Sequence, residues 1–307
     1  MRFILGFIGA VFAGVLMIAF ISNLATYLTN RPAPLPADEF HLPPKEVHFT
    51  SDGPFGYFDN RQLQRGFQVY SEVCSACHSL KLVSFRDLKD IGYDDAEVKA
   101  IAAQWKASKV PSINPDTGEA TTRQPLPSDT FPPPFPNEVA ARAANNNALP
   151  PDLSLITKAR EGGAHYVYSI LTGFQNQPAA LLKKFPDAKT PPNLHYNPYF
   201  ANLNIAMPPP LTTDGQVQYQ DGTKPTADQM ARDVAAFLVW TAQPELARRH
   251  AAGAVVVFFL LIATILGYLA YHQIWDEAKR AVRPTGPLDP ENQAKSRRAK
   301  AKAGVAG

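Results

Sequence analysis

The stretch Cys74-Ser75-Ala76-Cys77-His78 decides how this 307-residue chain is interpreted. Cys-x-x-Cys-His is the attachment signature of c-type haem, in which two thiols add to the porphyrin vinyl groups and the following His presents its imidazole to the iron. Cys74 and Cys77 are the two cysteines of the sequence, so a disulfide-stapled fold is not expected. The motif predicts one covalent haem c, attached through Cys74 and Cys77, with His78 as an iron ligand.

Three other interpretations of the motif remain open. A zinc site needs four Cys or His ligands, and the sequence offers neither a second Cys pair nor a His-x3-His. A thioredoxin-type redox pair needs a preceding strand in a βαβ unit, whereas an amphipathic helical pattern precedes Cys74. The spacing can also arise by chance on a structural helix. Haem attachment is favoured because the motif uses both cysteines of the chain.

A haem iron that is closed to small molecules needs a second axial ligand, usually Met or His. Met207 is favoured, because it precedes Pro208-Pro209-Pro210, and such a stiff extended segment can hold a thioether against iron without helical support. The alternative interpretation makes Met207 a gap-filling core residue. His165 and His195 are the rival ligands.

Two apolar runs predict attachment to a membrane. Residues 251–271 contain no charged side chain, and at 1.5 Å per residue they cover a hydrocarbon core about 30 Å thick. Residues 3–29 are also uncharged, and their length favours a retained span over a cleaved leader. The expected organisation is an N-terminal span or uncleaved leader at 1–29, a haem domain at 30–250, an anchor at 251–271 and a basic tail at 272–307.

Charge around the second apolar run predicts the orientation of the chain. Eight Lys or Arg residues follow position 271, whereas Arg248 and Arg249 precede the run. The positive-inside bias therefore places the C-terminus in the cytoplasm and residues 30–250 on the opposite side of the membrane. We expect that side to be the periplasmic side of a bacterial inner membrane. The tail is expected to be flexible. A net charge of +3 with 19% charged residues disfavours a nucleic-acid binder.

Two amphipathic helices are predicted in the haem domain. The first covers residues 60–73, with Asp59 as its N-cap, and ends directly at the haem motif. The second covers residues 227–241, where Thr226 and Gln229 form a capping box. Weaker helical patterns cover residues 95–108, 138–145 and 164–171. We find no internal repeat, glycine-rich phosphate loop or Gly-x-Ser-x-Gly elbow.

Long Pro-rich segments separate these helices. Residues 110–136 and 176–210 are dense in Pro and Asn, so regular helix or central strand is not expected there. They also carry aromatic and aliphatic side chains, which favours their wrapping around another group over disorder.

The chain resembles the cytochrome c1 family. The resemblance is carried, in order, by the haem motif, Ala141-Arg142-Ala143-Ala144-Asn145-Asn146, Ala148-Leu149-Pro150-Pro151-Asp152-Leu153-Ser154, Asn197-Pro198-Tyr199-Phe200 and Met207-Pro208-Pro209. It covers most of the chain and implies an all-α, cytochrome c-like haem domain with long Pro-rich loops, a C-terminal transmembrane helix and an N-terminal one. It further implies that the two main helices cross, with Gly66 and Tyr70 facing Phe237.

The resemblance also implies the roles of individual residues. Cys74 and Cys77 form the thioether links and His78 and Met207 are the axial ligands. Arg123 pairs with a haem propionate, and Pro150 lines the haem pocket. No catalytic base or nucleophile is implied.

The function implied by the resemblance is electron transfer in the respiratory chain. The protein would take electrons from the Rieske iron-sulfur protein and pass them to a cytochrome c, packed beside cytochrome b and membrane lipid in the dimeric quinol:cytochrome c oxidoreductase, the bc1 complex. Residues 30–250 hold 23 acidic and 21 basic side chains, a mild excess that would steer a basic acceptor. A membrane-tethered cytochrome shuttle and a haem enzyme with an open iron position are the alternative functions.

Overall fold

The structure is a computed structural model, and it describes residues 2–29, 33–281, 286 and 289–302. Its α-helices are α1 (Arg2–Thr29), α2 (Pro36–Phe40), α3 (Asn60–Glu72), α4 (Asp95–Ala103), α5 (Glu138–Ala144), α6 (Ile156–Ala159), α7 (Gly163–Thr172), α8 (Ala179–Lys184), α9 (Ala227–Ala242), α10 (Leu246–Ala281) and α11 (Pro290–Lys302). Short 3₁₀ helices lie at Cys74–Ala76, Phe85–Ile91 and Pro186–Ala188. Four strands form two antiparallel pairs, β1 (Val110–Ile113) with β2 (Ala120–Arg123) and β3 (His195–Tyr196) with β4 (Asn204–Ile205). The predicted all-α class is confirmed, because the strands among the described residues make only these two-stranded pairs.

The chain divides into two compact units, Met1–Pro244 and Glu245–Gly307. The first holds the haem motif and the helices that surround it. The second holds α10, which extends beyond both ends of the predicted anchor, and α11. The described residues of the tail include the helix α11, which has no buried residue, and the flexibility of the tail stays a prediction. Residues 282–285, 287–288 and 303–307 of the tail lie outside the described residues.

Two helices are long and apolar enough to cross a membrane. The qualifying segments are Phe3–Thr29, with 27 residues and a mean hydropathy of 2.7, and Leu246–Asp276, with 31 residues and a mean hydropathy of 2.5. None of their most apolar residues is buried inside the protein. Length and composition therefore fit the two predicted spans.

Both main helices of the haem domain form where the sequence predicts them. The Asp59 carboxylate accepts the Arg61 N–H at 3.0 Å and caps α3. At α9, the Thr226 hydroxyl accepts the Gln229 N–H at 3.1 Å. The two helices cross at Gly66, which leaves room for α9 because it has no side chain. The bounds of both helices agree with the prediction to within one residue.

An aromatic cluster fills the space around this crossing. The Tyr70 ring lies 5.9 Å from Phe237 and 6.1 Å from Phe131, measured between ring centroids. Trp105 stacks on Tyr70 at 6.4 Å and lies 5.0 Å from Phe131. The expectation that Gly66 and Tyr70 face Phe237 is confirmed. Offset and edge-to-face aromatic pairs of this kind stabilise a core by about 0.5–1.5 kcal/mol beyond the area they bury.

The Pro-rich segments contain more regular structure than predicted. Residues 110–136 include the β1–β2 hairpin, in which Val110 pairs with Arg123. Residues 176–210 include α8, so the exclusion of helix from this segment is wrong. The six residues of α8 contain no Pro, and Leu181 buries its side chain completely against Tyr196 and Leu203. Short helices in proteins are stabilised mostly by tertiary packing. A Pro-free segment of six residues with one fully buried side chain can therefore form a helix here.

The weaker helical patterns are confirmed with different lengths. α4 ends at Ala103, before the predicted end at residue 108, and the chain then turns through Trp105. α5 and α7 agree with their predicted bounds to within one residue.

Candidate haem-binding site

The haem motif lies in a tight turn directly after α3. Residues Cys74–Ala76 form one 3₁₀ turn, in which the Cys77 and His78 N–H groups both donate to the Cys74 carbonyl, at 3.1 and 2.9 Å. The Ser75 hydroxyl donates to the carbonyl of Ser71 at 2.7 Å and fastens the turn to the end of the helix. Hydrogen bonds within the protein therefore define the backbone conformation of the motif.

The two thiols are both free and differ in environment. Cys77 is exposed, whereas Cys74 is partly buried. Burial, with a smaller effect of the Cys77 thiol, raises the pKa of Cys74 to about 12. A pair of free thiols three residues apart, with no disulfide between them, is the donor set that two thioether bonds to a porphyrin require.

His78 is held in one tautomer by a backbone carbonyl. Its Nδ1 lies 2.8 Å from the carbonyl oxygen of Pro151, and because a carbonyl can only accept, Nδ1 carries the proton. Burial lowers the pKa of His78, although the Pro151 hydrogen bond and the charge of Asp152 oppose this effect. The imidazole is thus neutral at pH 7 and keeps the Nε2 lone pair for a metal.

Pro150 lies next to this contact. It is half-buried and directly precedes Pro151, while Leu153 donates its N–H to the Ser79 carbonyl at 2.9 Å. The structure therefore brings the segment around Pro150 against the residues that follow His78. Its role as a haem contact stays a prediction.

Met207 lies in a bend directly after β4 and is half-buried. It does not belong to the fully buried core, in contrast to Met230 of α9, whose exposed fraction is 0%. This placement gives no support to the gap-filling interpretation of Met207. Its role as an iron ligand stays a prediction.

The two rival ligands have partners of their own. The His165 ring packs edge-on against Phe49 at 5.3 Å, and its Nε2 lies 3.8 Å from an Asp52 carboxylate oxygen. His195 lies in β3, with its ring edge-on to Phe174 at 6.4 Å. Ordinary packing and pairing thus account for both histidines.

Arg123 is the last residue of β2 and forms an ion pair with the Asp129 carboxylate. Its Nη1 and Nη2 donate to the two oxygens of Asp129 at 2.5 and 2.9 Å, and Nη1 also donates to the Gln124 carbonyl. The bonds to Asp129 raise the pKa of Arg123, and the same bonds lower the pKa of Asp129. Asp129 also accepts the Leu126 N–H at 2.7 Å, so the pair closes the loop after the hairpin. The pairing with a propionate stays a prediction.

The sequence alone assigned no role to Asp152. In the structure its carboxylate accepts hydrogen bonds from Ser79, Lys81 and Ser154. The signal that was available is the Asp-x-Ser spacing after two prolines, which is typical of a turn in which an Asp side chain binds a backbone N–H two residues on.

The donor set fits haem c better than a zinc ion. In the part of the chain that the structure describes, no group of three or more His, Cys, Asp or Glu side chains is placed to hold a metal ion. Two free thiols and a neutral imidazole in one turn instead provide covalent attachment and one axial ligand. With a second axial ligand such a centre is closed to small molecules and suits outer-sphere electron transfer.

Comparison with known proteins relates the chain to named haem proteins. The sequence model described as the Cytochrome C1 family matches residues 49–278. A Solanum tuberosum protein named cytochrome c1-2, heme protein, mitochondrial is 46% identical over 213 residues, which cover 69% of this chain and 78% of the relative. Rhodospirillum rubrum cytochrome c1 is 42% identical over 241 residues, covering 74% and 85%.

A third relative is longer than this chain. The Bradyrhizobium diazoefficiens protein named cytochrome b/c1 is 42% identical over 248 residues, which cover 74% of this chain and 34% of that protein. The residues matched by the family model include the haem motif and the helix α3 that precedes it. With a family match over most of its length and relatives above 40% identity, the chain belongs to the cytochrome c1 family.

Proposed function

We propose that the chain takes electrons from a Rieske iron-sulfur protein and passes them to a cytochrome c. As a member of the cytochrome c1 family, it is a haem electron carrier of the bc1 complex, with haem c as its covalent cofactor. Family membership is the observation that carries this proposal, and the geometry of His78 supports haem ligation by this chain. Its Nδ1 is committed to the Pro151 carbonyl at 2.8 Å, which leaves only Nε2 for the iron.

The residues of the chain would hold the cofactor as follows. Cys74 and Cys77 would form the thioether links, and His78 and Met207 would bind the iron. When bound, haem c supplies a one-electron couple between ferric and ferrous iron. Two strong ligands exclude small molecules from the iron, so this chain needs no catalytic base or nucleophile.

Two further residues would contact the edge of the cofactor. Arg123 is fixed by Asp129 through both Nη atoms, and its Nε takes no part in those bonds. We propose that Arg123 turns its Nε–H group toward a haem propionate. Pro150 would line the pocket beside the Pro151 carbonyl.

We propose that α10 anchors the haem domain in the bacterial inner membrane. The haem domain would lie in the periplasm and the C-terminus in the cytoplasm, since basic residues are concentrated after the span. The N-terminal α1 would be a second, retained span, as its length of 28 residues permits.

The proposed neighbours are those of a quinol:cytochrome c oxidoreductase. Association with cytochrome b is supported by the relative named cytochrome b/c1. The Rieske donor, the cytochrome c acceptor and a dimeric complex are proposed from family membership. A mild excess of acidic side chains between residues 30 and 250 favours a basic acceptor.

The assignment of the second ligand is tested by Met207→Leu in the purified holoprotein. Wild type should show the weak long-wavelength band of sulfur-to-iron charge transfer in its ferric spectrum and should not bind carbon monoxide. The variant should lose the band and bind carbon monoxide. Met230→Leu is the matched control and should behave as wild type, because Met230 lies fully buried in α9. Ready binding of carbon monoxide by wild type would contradict the electron-carrier assignment.

A second experiment separates a complex subunit from a free tethered shuttle. After extraction in mild detergent, the subunit should co-purify with a b-type haem protein. A monomeric protein with c-type haem alone would favour the shuttle.

A further inference from the structure

We propose that Asp152 is a positioning residue for the haem, because its carboxylate holds the Pro151 carbonyl against the imidazole of His78. The inference rests on the proposed function, since it takes His78 as an iron ligand. The Asp152 carboxylate bonds to Ser79, Lys81 and Ser154, so its effect on the imidazole would pass through the Pro151 carbonyl. It would act by fixing the orientation of His78 and the strength with which its imidazole binds iron.

The Asp152 carboxylate joins two segments that are 71 to 73 residues apart in sequence. Oδ2 accepts the Ser79 hydroxyl at 2.7 Å and the Lys81 N–H at 2.9 Å, both directly after the haem motif. Oδ1 accepts the Ser154 N–H at 3.0 Å and closes the turn of its own segment. One side chain therefore connects the backbone after His78 to the backbone after Pro151.

Further bonds extend the same connection on the C-terminal side of Asp152. The Leu153 N–H donates to the Ser79 carbonyl at 2.9 Å. The Leu82 N–H donates to the hydroxyl of Ser154, a residue with no exposed surface, at 3.1 Å. Asp152 and its two successors thus form a clamp on residues 79–82.

The two residues before Asp152 supply no backbone donors of their own. Pro150 and Pro151 lack an N–H group, so neither residue can anchor the segment by donating a backbone hydrogen bond. The Pro151 carbonyl directly precedes Asp152 in the chain. The clamp that begins at Asp152 is therefore the nearest set of bonds that can keep this carbonyl 2.8 Å from Nδ1 of His78.

The charge of Asp152 strengthens this clamp. Burial alone would raise the pKa of Asp152, but hydrogen bonds from the Lys81 N–H and from Ser154 and Ser79 outweigh it, and the pKa lies below its ordinary value. The carboxylate is therefore ionised at neutral pH. Hydrogen bonds to an ionised acceptor are shorter and roughly twice as strong as neutral ones.

The carbonyl contact matters because it tunes the ligand. A hydrogen bond donated by the distal ring nitrogen fixes the plane of a metal-bound imidazole and increases its basicity. A more basic ligand favours ferric over ferrous iron. Loosening the clamp should therefore change the orientation of the His78 ring and raise the midpoint potential.

The test compares Asp152→Asn with wild type as detergent-purified holoprotein. Two quantities are measured, the midpoint potential and the g values of the ferric electron paramagnetic resonance spectrum, which report the orientation of the axial ligands. Asp152→Asn should raise the potential and shift the g values. Ser154→Ala leaves every charge in place and removes the acceptor of the Leu82 N–H, and it should shift the g values in the same direction with a smaller change in potential.

Asp94→Asn is the control, because Asp94 also accepts a backbone N–H, that of Glu97 at 2.8 Å, at the start of α4. It should leave both quantities unchanged. A rise in potential in Asp152→Asn with wild-type g values would overturn the proposal, since the carboxylate would then act by charge alone. Unchanged g values in Ser154→Ala would also overturn the proposal. Because this second variant is measured by itself, the proposal can still be tested if Asp152→Asn fails to fold. A wild type without the signature of Met and His ligation would instead contradict the proposed function.

Discussion

Gly66 lies so close to Asp233 that a Cβ atom at position 66 would be 2.1 Å from the Asp233 carbonyl oxygen. The same atom would be 2.6 Å from Cβ of Phe237. Only glycine allows α3 and α9 to approach to this distance, because both obstacles belong to or lie next to the α9 backbone. The crossing fixes the helix whose C-terminal end carries the haem motif.

We expect Gly66→Ala to destabilise the holoprotein by about 3 kcal/mol or more, since overpacking against backbone forces the two helices apart. Guanidinium unfolding monitored by the Soret band measures the change. Arg61→Ala, an exposed position on the same helix, should change the free energy of unfolding by less than about 0.5 kcal/mol. Equal effects of the two substitutions would show that the close contact is not needed.

The sequence predicted this part of the fold well, because its signals are local. The cap residues Asp59 and Thr226 and the helical spacing of apolar side chains determine both helices within single segments. The pairing of Gly66 with Asp233 was not predicted, although the crossing itself was implied by family resemblance. Contacts between residues more than 160 positions apart leave no periodic signal in one sequence.

A buried ion pair lies at the same crossing. Arg65 Nε and Nη2 donate to the two carboxylate oxygens of Asp233 at 2.9 and 3.2 Å. The Asp233 side chain has no exposed surface, and that of Arg65 is 14% exposed. Arg65 Nη1 also donates to Asp221, which is 29% exposed, at 2.7 Å.

We expect Arg65→Met to lower the free energy of unfolding by about 3–5 kcal/mol, because it leaves the Asp233 carboxylate buried and unpaired. Asp221→Asn removes the more exposed partner and should cost about 1 kcal/mol or less. Adding Asp233→Asn to Arg65→Met should recover part of the loss, since the buried charge is then gone. Denaturant unfolding of the four proteins completes the comparison, and an Arg65→Met effect no larger than that of Asp221→Asn would contradict it.

The Pro-rich segments were predicted less well, for a physical reason. The helix α8 depends on a tertiary contact, the burial of Leu181 against Tyr196 and Leu203. High Pro content excludes long regular elements, but it does not exclude elements of four to six residues: α8 contains no Pro, and the strand β1 contains one, Pro111. Asp152 was missed because its three donors come from two separate segments.

The carboxylate of Asp228 links α7 to α9 and should make the free energy of unfolding depend on pH. The Tyr168 hydroxyl donates to Asp228, and Arg232 Nε donates to its other oxygen at 2.8 Å. Burial opposes ionisation, but these bonds and the charges of Arg232 and Lys45 keep the pKa of Asp228 below 3.8. A lowered pKa means that the folded state favours the carboxylate, so its contribution is present above pH 3.8 and is lost as pH falls through the folded value.

We expect Asp228→Asn to cost about 1 kcal/mol or less at pH 7, since the side chain is 53% exposed. The difference from wild type should shrink as the pH falls from 5 to 3. Urea unfolding at several pH values measures it, and taking differences removes the acid sensitivity of the haem ligands. Asp187→Asn, at an exposed position in a 3₁₀ turn, should differ from wild type by less than about 0.5 kcal/mol at every pH. A constant effect of Asp228→Asn across this range would show that its charge is not involved.

The role of Arg123 is tested by comparing its two proposed interactions. The guanidinium pairs with Asp129 through Nη1 and Nη2, and we propose that Nε reaches a haem propionate. A positive charge near the haem stabilises the ferrous state, which carries one positive charge less. Arg123→Gln should therefore lower the midpoint potential, on the order of tens of millivolts for a partly screened charge.

Asp129→Asn separates the effect on the midpoint potential from the effect of opening the loop that Arg123 and Asp129 close. It removes the charged acceptor of Arg123 while it keeps the guanidinium itself, so it should reduce stability without lowering the midpoint potential. Redox titration of both variants, with thermal unfolding as the second measurement, distinguishes the cases. If the two substitutions reduce stability equally and neither lowers the potential, Arg123 serves only to close the loop between β2 and Asp129, and the propionate must find its donor elsewhere in the haem domain.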